Sequence, residues 1–221
     1  MAYTAQDVKA LRDKTGLGMM DCKKALEENG GDMEKAIDYL RKKGLAASAN
    51  KASRIATEGV VDAYIHPGGR VGVLVELNCE TDFVARTANF QRLVREIAMH
   101  VAAHDPAPQF VSKEEVTQAF LDHEKEIASA QALATGKPAN VVEKIVEGKM
   151  NKIFEEVCLL EQKFIMNDDI TVAQYLSTKT AEIGEKLSIR RFTKYVLGEG
   201  LEKRKDDFAA EVAAQSAAAK K

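Results

Sequence analysis

The chain contains 221 residues, of which 45% are apolar, 32 are basic and 34 are acidic, giving a net charge of −2. A charge this close to neutral excludes a bulk electrostatic field for nucleic acid or a membrane surface and favours a folded protein as partner. Its apolar runs fall short of the roughly 18 residues that span a bilayer, and its first residues are typical of neither a signal nor a transit peptide.

Three cysteines, Cys22, Cys79 and Cys158, are widely separated in the sequence. They form neither a C-x-x-C pair nor a zinc-binding spacing, and their odd number argues against a disulfide framework. The pattern therefore predicts free thiols and a reducing, cytoplasmic location.

Residues 4–44 carry the pattern of three short helices. The first begins at Thr4, the second covers residues 19–28, and Gly44 ends the third. A bundle of about 40 residues has a marginal core and is typical of a docking module. The loop at residues 17–20 (Leu-Gly-Met-Met) resembles that of ubiquitin-associated-like bundles, and its methionines suit either a contact surface or the core.

The next segment, residues 45–57, is small, polar and slightly basic, which predicts a linker with some helical character. Two β-branched-rich stretches, residues 60–65 and 71–77, then flank a Pro-Gly-Gly turn and predict a hairpin. Two strands are not stable alone, so residues 187–197 are predicted to supply a third strand.

The hairpin leads directly into a helix predicted over residues 89–104. Thr81 or Asp82 can cap a helix at this corner. Phe83 and Val84 then have two interpretations: core residues, which the local pattern favours, or side chains that project toward a partner.

Two histidines of this helix, His100 and His104, are four residues apart and share one helix face, with Asp105 beside them. This spacing can ligate a metal ion. A third strong ligand is not nearby in sequence, so packing or surface roles are favoured, and neither a metal nor another cofactor is predicted.

Residues 112–160 predict two long helices that form a protruding antiparallel coiled-coil hairpin. Ser112 and Glu115 have the spacing of a capping box at its start, and a Gly-Lys-Pro turn at residues 136–138 joins the helices.

The remaining elements complete an α+β fold with a small antiparallel sheet. Thr171 is predicted to cap a helix that ends near Glu182, and a last helix covers residues 201–215. The predicted organisation is a docking bundle at 1–44, a linker at 45–57, a core at 58–200 and a C-terminal module at 201–221.

The sequence shows no nucleophile elbow, phosphate-binding glycine loop or zinc pattern. A metal-dependent or thiol enzyme would have to rest on His100 and His104 or on Cys79, so we disfavour an enzyme. A helical adaptor that docks through the bundle and the hairpin arm is one alternative.

Several motifs, in order and at compatible spacing, resemble those of the translation elongation factor Ts family over nearly the whole chain. They are found at residues 16–26, 81–84, 97–103, 145–148, 159–162, 198–203 and 208–212. The resemblance implies a guanine-nucleotide exchange factor that binds elongation factor Tu, both GDP-bound and nucleotide-free, without direct contact to nucleic acid.

The resemblance also implies roles for individual residues. Phe83 would wedge between two helices of the nucleotide domain of elongation factor Tu and disturb its Mg²⁺ and phosphate site. Asp82 would lie beside it, and Thr81 and Val84 would shape the loop. Four further partner contacts are implied by matching motifs: Lys23, His100, Ile165 and Met166.

Two departures from the family pattern stand out. Lys163 occupies a position that is usually proline, which would alter a turn. Longer members carry a second hairpin-plus-helix unit, which is missing here between Arg92 and Met99. Pairing two chains would restore a two-unit core, so we expect a symmetric homodimer and leave open a crosslink through Cys158.

Overall fold

The computed structural model describes residues 3–15, 17–134, 136 and 138–201. Within these residues the chain is α+β, as predicted, with eight α-helices and five strands. The predicted helix at 201–215 lies outside the described residues apart from Leu201. The elements are α1 Ala5–Thr15, α2 Met19–Glu28, α3 Met33–Lys51, β1 Glu58–Ile65, β2 Val71–Cys79, α4 Asp82–Ala85, α5 Ala88–Ala103, α6 Gln118–Leu133, α7 Ala139–Val157, β3 Lys163–Phe164, β4 Asn167–Thr171, α8 Val172–Ile183 and β5 Ser188–Val196.

Helices α1–α3 form the predicted bundle around a small apolar cluster that includes Leu11, Leu26 and Leu40. The predicted end of the third helix at Gly44 is wrong, because α3 continues through this glycine to Lys51. Gly44 is buried, and a Cβ added there would lie 3.8 Å from the Cβ of Ala181 on α8. Packing against α8 therefore outweighs the low helix propensity of glycine, and part of the predicted linker is helical.

The predicted three-stranded sheet is confirmed, with antiparallel order β1-β2-β5. Its inner face packs on α5 through a buried cluster that includes Val73, Val75, Phe90 and Ile97. Alternation along the strands places the opposite side chains on the other face of the sheet. That outer face exposes four large apolar side chains: Val61, Ile65, Leu74 and Tyr195.

The arm consists of α6 and α7, which pack on each other through Ala128, Ala132, Val142 and Val146. The predicted capping box at Ser112 is wrong. Glu115 instead accepts a hydrogen bond from the Val111 backbone N–H at 2.8 Å and lies in a short 3₁₀ turn. Helix α6 begins later, where Thr117 caps it through the Phe120 N–H.

A two-stranded hairpin, β3–β4, was not predicted. The sequence placed only a short apolar run here, and the structure turns its last two residues, Ile165 and Met166, into the connection between the strands. Lys163 begins β3 and pairs with Thr171. Thr171 also caps α8, as predicted, in a capping box with Gln174.

Among the described residues, none of the helices combines the length and apolar character required to cross a membrane.

Candidate functional site

The corner between β2 and α5 is built from two consecutive helix starts. Strand β2 ends at Cys79, and Thr81 caps the single turn α4 by accepting the Val84 N–H at 3.4 Å. Thr87 then caps α5 by accepting the Phe90 N–H. The chain therefore changes direction sharply, which places the first turn of α4 at the surface.

Phe83 on this turn is 79% exposed, whereas Val84 is half-buried against the core and Ala85 is buried. The core interpretation is wrong for Phe83 and holds in part for Val84. A large aromatic side chain that stays exposed to water on an ordered turn gains no stabilisation from burial in the free chain, and such exposure marks a contact surface. Asp82 lies beside it and pairs with Arg86 at 2.9 Å.

A carboxylate from a distant loop holds this corner. Glu185, between α8 and β5, accepts the backbone N–H groups of Glu80 and Thr81, both at 3.0 Å. Its other oxygen accepts the Thr81 hydroxyl at 2.6 Å. Three hydrogen bonds to one carboxylate thus fix the residues that precede the exposed aromatic.

Glu80 makes the reciprocal connection. Its carboxylate accepts the Lys186 backbone N–H at 2.6 Å and a guanidinium N–H of Arg54 at 3.2 Å. The Lys186 N–H, followed by Arg54, lowers the pKa of this carboxyl group. Lys186 Nζ in turn donates to the carbonyls of Ala52 and Arg54, at 2.6 and 2.7 Å. The corner is thereby tied to the segment that leaves α3.

No sequence pattern singles out Glu185, Lys186 or Arg54. Glu185 is 104 residues from Thr81 along the chain, and a charged residue after a helix is ordinarily solvated. Glu80 belonged to the recognised corner, but its pairing depends on the same long-range packing. Local patterns identify side chains that bind nearby backbone N–H groups, as in helix caps and Asx turns, but not a carboxylate whose donors lie 104 and 105 residues away.

His100 lies elsewhere and is fully buried. Its Nδ1 accepts the Ile165 N–H at 3.2 Å, so the ring proton is on Nε2, which donates to Gln162 Oε1 at 3.0 Å. Burial, together with the neighbouring His104, lowers the pKa of His100 to about 4. Its ring has no accessible surface in the free chain, so the ring is not part of the surface that a partner would first meet.

Both ring nitrogens of His100 are engaged, and His104 Nδ1 lies 3.1 Å from the His100 carbonyl. His100 therefore has no ring nitrogen left with which to ligate a metal ion together with His104. In the part of the chain that the structure describes, no group of three or more His, Cys, Asp or Glu residues could hold a metal ion.

Cys79 does not have the properties of an activated nucleophile. Burial, followed by the nearby Glu185, raises the pKa of the Cys79 thiol to about 11. Its Sγ donates to the Thr81 carbonyl at 3.1 Å. The thiolate form is disfavoured at neutral pH, and the thiol supports the corner.

The other implied contact residues are at the surface on separate elements. Ile165 and Met166 are 48% and 53% exposed in the β3–β4 connection. Lys23 is exposed on α2 next to the exposed Met20. The implied contact residues therefore fall in three places. Thr81–Val84 form the corner, Ile165 and Met166 lie beside His100, and Lys23 lies on α2 of the bundle.

Comparison with known proteins gives consistent matches. The sequence model of the family described as Elongation factor TS matches residues 22–199. A protein named Elongation factor Ts from Carboxydothermus hydrogenoformans is 64% identical over 211 residues, which cover 96% of each chain. Its counterpart in Geobacter metallireducens is 61% identical over 214 residues, which cover 97% of this chain and 98% of that one.

Proposed function

Because the chain belongs to the elongation factor Ts family, we propose that it promotes release of GDP from elongation factor Tu, so that GTP can bind during translation elongation. The observation that carries the proposal is Phe83, which is 79% exposed on a turn with fixed backbone geometry. An isolated soluble chain gains nothing from this exposure, whereas a partner with an apolar cleft would bury the ring.

The mechanism follows from how a GTPase holds its nucleotide. A Mg²⁺ ion bridges phosphate oxygens and protein ligands, so a small displacement of those ligands weakens nucleotide binding. Insertion of Phe83 between two helices of elongation factor Tu would move such ligands. Burying one phenylalanine releases about 1.5–3 kcal/mol, which corresponds to roughly ten- to hundredfold weaker nucleotide binding if fully coupled.

The same coupling explains how an exchange factor leaves its partner. Coupling between two ligands is reciprocal, so a protein that weakens GDP binding is itself weakened when GDP or GTP binds. Rebinding of nucleotide would expel the Phe83 turn, and one molecule could then act on many copies of elongation factor Tu. No covalent chemistry is required of the chain.

The test is the release of a fluorescent GDP from elongation factor Tu into excess unlabelled GDP, with and without this protein. Acceleration at substoichiometric concentration is the expected result. If the two proteins form a complex without acceleration, the helical adaptor is the better description. If neither acceleration nor a complex is observed, the proposal is wrong.

Other exposed residues fit a second and third contact with elongation factor Tu. The α1–α3 bundle is proposed as an ubiquitin-associated-like docking module, with Lys23 facing the nucleotide domain. Ile165 and Met166 are proposed as a small apolar contact, which His100 supports from beneath through its hydrogen bond to the Ile165 N–H. The coiled-coil geometry of the α6–α7 arm belongs to the same proposal.

We also propose a symmetric homodimer that pairs through the outer sheet face, defined by Val61, Ile65, Leu74 and Tyr195. The strand register sets Ile65 and Tyr195 on either side of Gly72, and places Leu74 next to Thr193. These side chains form an exposed apolar patch beside the Glu76–Arg191 ion pair, on a sheet whose opposite face packs on α5. Two such surfaces can pack face to face as a sandwich.

Light scattering should give twice the 24.2 kDa chain mass at micromolar concentration. Leu74→Lys should yield a monomer, because it places a charge in the apolar interface. Ile127→Lys is the matched control, since Ile127 is also an exposed apolar residue but lies on α6. A monomer mass for the unmodified chain would contradict the dimer.

Cys158 is buried, which argues against a crosslink between the two chains through its thiol.

A further inference from the structure

Glu80 and Glu185 form a reciprocal pair, in which each carboxylate caps the backbone of the other's loop. Glu185 accepts from the N–H groups of Glu80 and Thr81, and Glu80 accepts from the N–H of Lys186. The two carboxylates carry like charge, so the hydrogen bonds that each accepts from the other's loop, and not an attraction between them, hold the two loops together. We call this arrangement the carboxylate clamp.

The clamp acts on the residue that sets the direction of the exposed turn. Thr81 is the N-cap of α4, and Glu185 binds both its backbone N–H and its hydroxyl. The Thr81 hydroxyl donates to Glu185 and accepts the Val84 N–H, so these two bonds together restrict the orientation of the Thr81 side chain. Phe83 lies between Thr81 and Val84, so the clamp restrains the backbone from which its ring projects.

The clamp also binds a third segment of the chain, the residues that follow α3. Arg54 donates to Glu80, and Lys186 Nζ holds the carbonyls of Ala52 and Arg54. These residues directly follow α3, the last helix of the bundle. These polar contacts therefore link the end of the bundle to the Phe83 turn.

We propose that Glu185 is a positioning residue for nucleotide exchange, which acts through Thr81 to hold Phe83 in its insertion geometry. This inference rests on the proposed exchange function and extends it to a residue with no implied contact to elongation factor Tu. A fixed turn inserts without first being ordered, so loss of the clamp reduces the fraction of bound complexes in which Phe83 is inserted.

This role predicts a specific kinetic signature. The proposed contacts with elongation factor Tu also include the bundle and the β3–β4 connection, so we expect loss of the clamp to leave KM within about twofold. The maximal exchange rate should fall about tenfold, as expected when one or two charge-assisted hydrogen bonds no longer bias a two-state equilibrium. A residue that merely contacts the partner would raise KM instead.

The experiment measures GDP release at increasing concentrations of Glu185→Ala, Glu185→Gln and Glu115→Ala. Glutamine should restore most of the rate, because its oxygen can accept both N–H groups while its amide donates to the Thr81 hydroxyl. Glu115→Ala is the matched control, since Glu115 also binds a backbone N–H, that of Val111, far from the corner in sequence. It should behave like the unmodified chain.

Hydrogen exchange of the Thr81 amide gives a second readout that needs no partner. It should be faster in Glu185→Ala and close to normal in Glu185→Gln. If Glu185→Ala does not fold, Glu185→Asp replaces it, because aspartate keeps the charge but is one methylene too short to reach both donors. Glu185→Asp should then also lower the maximal rate.

The outcomes separate the two proposals. If the unmodified chain does not accelerate GDP release, the exchange function fails. If it does accelerate release and Phe83→Ala impairs it, but Glu185→Ala retains the normal maximal rate, exchange stands and the positioning role is overturned. An effect of Glu185→Ala on KM alone would overturn it as well.

Discussion

Two exposed apolar turns of this chain, the Phe83 turn and the Ile165–Met166 connection, are held by hydrogen bonds from different environments. The Phe83 turn is held by the carboxylate clamp at the surface, where Glu185 binds the backbone of Glu80 and Thr81. The Ile165–Met166 connection is held from inside, where the fully buried His100 accepts the Ile165 N–H. One support is charged and near solvent, and the other is neutral and enclosed.

The two supports differ in whether they can be changed without loss of the fold. Surface hydrogen bonds contribute modestly to stability, because water replaces them when they break. A buried hydrogen bond cannot be replaced in this way, and its loss leaves unsatisfied groups in the core. We therefore expect perturbation of the clamp to change activity first, and perturbation of His100 to change stability first.

The largest expected effect tests the buried support. His100→Ala should lower the free energy of unfolding by about 2–4 kcal/mol, because it opens a cavity and leaves the Ile165 N–H and Gln162 Oε1 unpaired. Urea unfolding measures the change. His123→Ala is the control, since His123 is exposed on α6. Equal stability for the two variants would contradict the comparison.

Removal of the aromatic from the clamped turn should have the opposite profile. Phe83→Ala should slow nucleotide exchange by about ten- to hundredfold, the equivalent of 1.5–3 kcal/mol of lost burial in the complex. Its unfolding free energy should change by less than about 0.5 kcal/mol, because the ring is exposed in the free chain. Fluorescent GDP release and urea unfolding give the two numbers. A large loss of stability would mean that the ring packs in the core after all.

Acid should weaken the buried support before it affects the clamp. The pKa of His100 is about 4 in the folded chain against an ordinary value of 6.5, so below pH 6.5 the unfolded chain binds a proton that the folded chain does not. Stability is therefore lost as the pH falls from 6.5 toward 4, by about 2 kcal/mol between pH 7 and pH 5. The lowered pKa of Glu80 acts only at more acidic pH, where its carboxylate is protonated in the unfolded chain.

Urea unfolding at pH 7 and pH 5 measures this loss. His100→Gln should remove most of it, whereas His123→Gln should not. The same acid sensitivity in all three proteins would assign the loss to other groups.

The smallest effect concerns the surface of the β3–β4 connection. Ile165→Ser should change stability by less than about 0.5 kcal/mol, since its side chain is half exposed and the His100 bond involves its backbone. It should raise KM for exchange a few-fold and leave the maximal rate unchanged, which is the reverse of Glu185→Ala. A reduced maximal rate would show that this connection also acts on the nucleotide.

Local patterns predicted most of the secondary structure. The apolar spacing of Phe90, Leu93, Val94 and Ile97 identified α5, and all four are buried. The hairpin and its third strand followed from β-branched residues and from the instability of two strands alone. These features depend on residues a few positions apart, so a single sequence contains the information.

What was missed depends on contacts between distant segments. The continuation of α3 past Gly44 depends on the close approach of Ala181. The β3–β4 hairpin has a first strand of only two residues, which is too short for any alternation to be recognised. At the corner, the resemblance identified Phe83, whereas local pattern favoured its burial. Glu185 had no signal, because its donors lie 104 and 105 residues away.

Helix α3 runs without a break from the bundle toward the Phe83 corner. It spans 19 residues from the bundle to the segment held by Lys186, a length of about 28 Å at 1.5 Å per residue. Its length and helical twist therefore set both the distance and the angle between the bundle and the Phe83 turn. Inserting one residue into α3 would rotate the bundle relative to the Phe83 turn by about 100°. Every contact residue would still be present, but the two contact surfaces would no longer face the partner at the same time.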